Sequence, residues 1–234
     1  MRSSFLITLT WLSLMFGITG CGGSSRSAGS GSGSNVAGII VDAGPAGGNV
    51  NEVFATVTVC VPGSTTNCNT IDHVLVDTGS EGLRLVSSTG GGQLTLSLPQ
   101  ATDNSGSPLT ECAEFVSNVS YGSVRLANIQ ISGESASDVP IQVIGDTSPV
   151  PSSCSGMLQD TVAALGGNGI LGVGPFPNDC GTGCLGSVPV NQNPVIYYSC
   201  PASECARLGR CPGSTLPIRF PRSRKAQRGK SAPR

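Results

Sequence analysis

Five stretches of the chain read as β-strands. Residues 53–61 are β-branched and close to alternating, and residues 71–76, 94–98, 124–131 and 139–144 follow with similar patterns. Clusters of Gly, Pro, Asn, Asp and Ser separate them, as strand-and-turn architecture requires. One window, residues 156–165, has a helical pattern, ended by Gly166-Gly167. No repeat of solenoid or propeller length is present. The pattern predicts an all-β body of about 150 residues, enough for one core.

Composition supports this reading. The 234 residues include 33 Gly and 16 Pro, and few aromatics, which excludes a helical bundle or coiled coil. The net charge of −1 hides two unlike segments. Between Cys21 and Cys205 three arginines (Arg26, Arg84, Arg125) face all fourteen acidic residues, whereas 206–234 holds nine basic residues and no acid.

The start of the chain has the form of an export signal. Met1-Arg2 precedes an apolar run over 5–18. As a helix that run rises about 21 Å, short of the roughly 30 Å hydrocarbon core, so it does not predict a spanning segment. Residues 22–38 are almost entirely Gly, Ser and Ala, the composition of a flexible tether. Beyond Cys21 nine cysteines remain, expected to pair in an oxidising compartment. Sequence does not fix the connectivity. One arrangement joins Cys60–Cys68, Cys112–Cys154, Cys180–Cys184 and Cys200–Cys205, leaving Cys211 over. With one His and no repeated C-x-x-C spacing, no metal site is expected.

Ile18-Thr19-Gly20-Cys21 resembles the lipobox of bacterial lipoproteins. The resemblance implies a signal peptide over 1–20, lipidation of Cys21 and attachment to a membrane through it. An ordinary signal peptide with a stray cysteine is the alternative. Gly22 in place of Asp implies, by the same resemblance, the outer membrane, with the body facing periplasm or surface.

Two segments of the body carry candidate chemistry. Val74-Leu75-Val76 runs into Asp77-Thr78-Gly79-Ser80, and a second apolar segment leaves through Leu83 and Leu85. A carboxylate at the end of a buried strand is costly unless backbone N–H groups meet it. Gly79 permits a tight turn presenting such donors, and Thr78 offers a bracing hydroxyl. Further on, Asn168-Gly169-Ile170-Leu171-Gly172-Val173-Gly174 alternates apolar residues with glycines, as fits a strand passing close to another backbone.

Together these segments resemble the pepsin-like aspartic peptidases, over about residues 53–175. The resemblance implies an all-β fold consisting of a single pepsin-like lobe over 39–205, with the second lobe missing. It makes Asp77, in Asp77-Thr78-Gly79, one catalytic carboxylate, and Ile170-Leu171-Gly172 the crossing segment that supports its loop. Tyr121 stands where such lobes carry the flap tyrosine, although Val124-Arg125 replaces the flap's second glycine. The lipobox, the cysteine-rich body and the Val76-Asp77-Thr78-Gly79-Ser80-Glu81-Gly82-Leu83-Arg84-Leu85 run also resemble an uncharacterised family of bacterial exported proteins. The chemistry needs two carboxylates sharing a proton. With only Asp77, the expectation is an inactive solitary lobe that needs a second lobe or a homodimer partner to act on a peptide or protein substrate. Asp146-Thr147-Ser148 lacks the glycine and precedes Pro149, so it is not read as a second catalytic loop. His73 reads as structural, and no Gly-x-Ser-x-Gly segment supports a serine hydrolase.

The alternatives are a non-catalytic surface lipoprotein and, for the basic segment, a polyanion- or lipid-binding tail. The composition break after Cys205 favours a shifted or disordered segment over 206–234. No cofactor and no nucleic-acid partner are expected.

Overall fold

A computed structural model describes residues 36–176, 179, 195–201 and 204–208. The leader, Cys21, the 22–35 part of the tether, the Cys180–Cys184 pair, Cys211 and the tail beyond 208 lie outside the described residues. The body is all-β. Its strands are β1 (Ile39–Asp42), β2 (Glu52–Cys60), β3 (Cys68–Asp77), β4 (Glu81–Val86), β5 (Leu109–Glu114) and β6 (Asn118–Ile131). They continue with β7 (Glu134–Ile144), β8 (Met157–Leu158), β9 (Gly169–Val173), β10 (Val195–Ser199) and β11 (Ala206–Arg207). A 3₁₀ turn spans Ser88–Gly90, and α1 covers Val162–Leu165.

The strand order is β1-β2-β3-β9-β4-β7-β6-β5-β10-β11. β2 pairs again with β6, Thr58–Cys60 lying against Asn128–Gln130, so β2, β3, β9, β4, β7 and β6 close into a six-stranded barrel. Alternation explains the closure: Val57, Val59, Ile71, Val74, Leu83, Leu85, Ile129, Ile141 and Leu171 point inward from different strands and form one buried cluster. β5, β10 and β11 extend the sheet beyond β6. They build a second cluster from Tyr121, Tyr198, Ile196 and the Cys112–Cys154 link.

Two expected elements turn out differently. Residues 94–98 keep a strand's alternation, with Leu94 and Leu98 buried and Thr95 and Ser97 exposed. Yet they join no ladder: they meet the sheet through the Ser87–Leu94 bridge, through side-chain bonds from Thr95 to Asn69 and from Arg125 to Leu98 O, and through Leu94 and Leu98 in the core. Alternation sets which face a residue takes and says nothing about a partner strand. The helix expected over 156–165 is reduced to α1, which starts where Thr161 Oγ1 accepts from Ala164 N and stops at Gly166 (φ 79°). Upstream, Met157 and Leu158 pair with β6, so tertiary pairing overrides local helix propensity.

Three disulfides of the arrangement read from spacing are formed: Cys60–Cys68, Cys112–Cys154 and Cys200–Cys205. Among the described residues no helix is long and apolar enough to cross a membrane.

Candidate functional site

Asp77 ends β3. The chain passes through Thr78-Gly79-Ser80 and returns as β4, but β3 and β4 do not pair with each other. β9 lies between them, parallel to β3 and antiparallel to β4. Gly172 is therefore in register with Asp77 on one side and Gly82 on the other. The glycine is required: a Cβ there would stand 2.5 to 2.7 Å from Glu81 backbone atoms. Beyond the strand, Gly174 N donates to Ser80 O at 2.9 Å, and a Cβ on Gly174 would meet Glu81 Oε1 at 2.3 Å. The alternating glycines of the 168–174 segment thus let one backbone pass directly against the 80–82 turn.

The Asp77 carboxylate is half-buried and held by its own loop. Gly79 N donates to Oδ1 at 2.8 Å and Ser80 Oγ to Oδ2 at 2.6 Å. The bracing hydroxyl comes from Ser80, while Thr78 is exposed. Gly79 supplies its N–H, and the positive φ of this turn falls at Gly82 (φ 101°). Ile170 and Leu171 are buried, Leu171 in the barrel core. Val173 and Phe176, each 48% exposed, form an apolar lip beside the turn, and Phe176 N donates to Glu81 Oε1.

The structure brings Asp77, Gly79 and Gly172 together and leaves Tyr121 apart. Tyr121 sits inside β6, 2% exposed, with β5 and β7 on either side. Its hydroxyl donates to Thr110 Oγ1 at 3.0 Å, and its ring packs edge-on against Tyr198. Burial raises the phenol's pKa. A ring held this way is a core residue and not a mobile cover, since the strand runs on through Gly122, Ser123 and Val124 within the sheet. Asp146 accepts from Ser123 N and Ser123 Oγ and pairs with Arg125 at 3.3 Å. That pair borders a polar groove of about 210 Å³ along Thr95 and Ser97.

Below the turn lies a charged cluster that the sequence reading did not identify. Arg84, 2% exposed, reaches Glu111 Oε1 through Nε (2.9 Å) and Nη2 (2.8 Å), and donates from Nη1 to Glu81 O at 2.8 Å. Phe115 covers the guanidinium at 6.0 Å. Tyr197 donates its hydroxyl to Asp179, and Gln142 Nε2 donates to Glu111 O at 2.7 Å. Burial pushes the Glu111 carboxyl up to about 7 against the pull of Arg84, and Asp179 adds to the rise. Burial works against the Arg84 charge, but the neighbouring charges of Glu111 and Asp179 outweigh it and raise its pKa. One signal was available: Leu83-Arg84-Leu85 puts a lone arginine inside an apolar strand, and a buried cation needs a partner.

Among the described residues no group of three or more His, Cys, Asp or Glu is arranged to hold a metal ion. Fold and site therefore define a class: a closed six-stranded β-barrel with a threaded crossing strand and a self-braced aspartate loop at its end. The chain belongs to the family described as "Protein of unknown function (DUF3443)", which matches residues 31–215. That match begins before β1 and ends beyond β11. No curated protein matches the chain.

Proposed function

We propose that this chain is an exported bacterial lipoprotein, anchored through Cys21, whose barrel is a pepsin-like lobe carrying one aspartic-peptidase carboxylate at Asp77. The observation that carries the reading is the threading of β9 between β3 and β4, which sets Gly172 beside Asp77 while Gly79 and Ser80 orient the carboxylate. The chemistry asks for two carboxylates that share a proton, one as base toward water and one as acid toward the scissile carbonyl. Asp77 supplies one, so the solitary chain does not cleave peptides. A second lobe or a second copy of the chain supplies the other.

Three variants of this reading separate in one experiment. The full chain is assayed against a mixed peptide library at acidic pH, across a concentration series followed by sedimentation. The expected result is no cleavage by the monomer. Cleavage that appears with dimerisation and vanishes in Asp77→Asn identifies a homodimeric peptidase. Stoichiometric peptide binding without cleavage, unchanged in Asp77→Asn, overturns the peptidase reading in favour of a binding lipoprotein.

A further inference from the structure

His73, the chain's single histidine, sits between two carboxylates. Its Nε2 is 3.0 Å from Asp42 Oδ2 on β1, and its Nδ1 is 3.1 Å from Asp72 Oδ1 beside it on β3. The ring also packs edge-on against Phe54 of β2 at 5.1 Å. Its backbone has φ 47°, a left-handed conformation that few non-glycine residues adopt, and its carbonyl accepts from Asn168 N at the entry to β9. One side chain thereby touches β1, β2 and β3, while its carbonyl receives the start of the crossing strand.

Carboxylates on both ring nitrogens require both nitrogens to donate, which only the imidazolium does. Neutral imidazole satisfies one carboxylate and turns a lone pair toward the other. The two acids are unequal in what they have left. Asp72 Oδ1 also accepts from Gln93 Nε2 at 2.7 Å and Asn168 Nδ2 at 3.2 Å. Asp42 Oδ1 accepts from Gly44 N, but its Oδ2 has His73. Asp72 is fixed beside the ring by its place on β3 and by these bonds and cannot leave a lone pair turned toward it, whereas the exposed Asp42 can turn to water, so the contact that gives way when the ring loses a proton is the one to Asp42. Otherwise β1 is held by a four-residue ladder with β2, in which Glu52 stands opposite Asp42, and by Ser132 Oγ donating to Val36 O just before it, while Ile39 and Val41 are 58% and 54% exposed.

We infer that His73 is a proton-operated clasp, which locks strand β1 onto the barrel when protonated and releases it when neutral. The clasp operates whatever the role of Asp77. Its pH range follows from the groups facing the ring. Asp72 and then Asp42 raise the His73 pKa. Gly44 N and then His73 hold Asp42 below its ordinary value. At Asp72 partial burial opposes ionisation, and bonds from His73, Gln93 and Asn168 outweigh it. A raised histidine pKa stabilises the clasped form below the free-imidazole value and loses that contribution as pH rises through the folded value. Protonation of the two aspartates weakens the clasp in acid, so closure is strongest between the two ranges.

A single histidine gives a single imidazole NMR signal, so the full chain can be titrated directly. The expected midpoint lies above that of an unstructured histidine, and Asp42→Asn lowers it. Hydrogen exchange of the β1 and β2 amides, corrected for the intrinsic pH dependence, is expected to lose protection across the same midpoint. The loss approaches tenfold for each pH unit by which the midpoint exceeds the unstructured value. His73→Asn, a residue that tolerates the left-handed backbone, is expected to show no such step. Should it not fold, Asp42→Asn on the exposed strand tests the same point. A midpoint at or below the unstructured value, or a protection step that persists in Asp42→Asn, overturns the clasp.

Discussion

Asp77 and Glu111 are both acids near the start of β4, and the protein treats them in opposite ways. Asp77 lies half-buried at a strand end, and its two oxygens are met by donors from the next three residues. Its bracing is local and travels with the motif. Glu111 is buried in mid-sheet, and the groups that compensate its carboxylate come from elsewhere, Arg84 from β4 and Tyr197 from β10, while Gln142 from β7 holds its backbone carbonyl. A locally braced acid in contact with solvent is free to serve a ligand. A globally braced acid holds strands together, and its ionisation, which burial makes costly, depends on Arg84 beside it. The two are joined by one bond, from Arg84 Nη1 to Glu81 O, so the buried pair also fixes the backbone that carries the exposed loop.

The strongest way to break this contrast is Arg84→Met, which strands Glu111. A loss of about 3–5 kcal/mol is expected at pH 8 in urea unfolding. The loss should shrink at pH 5, where Glu111 takes a proton. A loss under about 1 kcal/mol at pH 8 would show that the pair does not hold the sheet. The sign of the Glu111 effect can be checked separately. An acid whose folded pKa is raised to about 7 binds a proton in the native state that the unfolded chain has released. Its contribution to stability therefore falls as pH rises from its ordinary value toward 7, and Glu111→Gln should flatten that slope. Next in size is Gly172→Ala, whose methyl meets Glu81 backbone; a cost of about 1–3 kcal/mol is expected, with faster amide exchange at 80–82. Smallest is Ser80→Ala, which removes one bond to Asp77 near the surface. A cost of about 1 kcal/mol in thermal unfolding is expected, with the β9 amides still protected.

The same contrast explains what sequence reveals. Asp77, its strand, the glycine spacing of β9 and the short loops Cys60–Cys68 and Cys200–Cys205 are legible because each is written in neighbouring residues, whereas Cys112–Cys154 follows only as the remainder of a pairing that sequence leaves open. β5 was not, because Leu109-Thr110-Glu111-Cys112-Ala113-Glu114 is buried on both faces yet carries Thr110 and Glu111 side by side, which breaks the alternation. Thr110 and Glu111 look solvent-facing until Tyr121 and Arg84 arrive from other strands. Residues 94–98 show the reverse, a strand pattern with no ladder. Tyr121 shows how position within a motif misleads: with Val124-Arg125 in place of the flap's second glycine the strand runs on, and the ring belongs to the core. His73, read from sequence as structural, has a structural role whose proton dependence needed Asp42 to be placed 31 positions away.

The threading of β9 also bears on when the barrel can exist. β3 and β4 are made early, yet neither has the other as a neighbour, and each keeps an open edge until residues 169–173 arrive. A chain that emerges N-terminus first must hold those two edges apart for some ninety residues and then accept a strand between them. Open edges recruit other strands, and pairings this distant form slowly. For this protein the dangerous interval is therefore the time before its ninth strand, when β3 and β4 are complete but still available to the wrong partner.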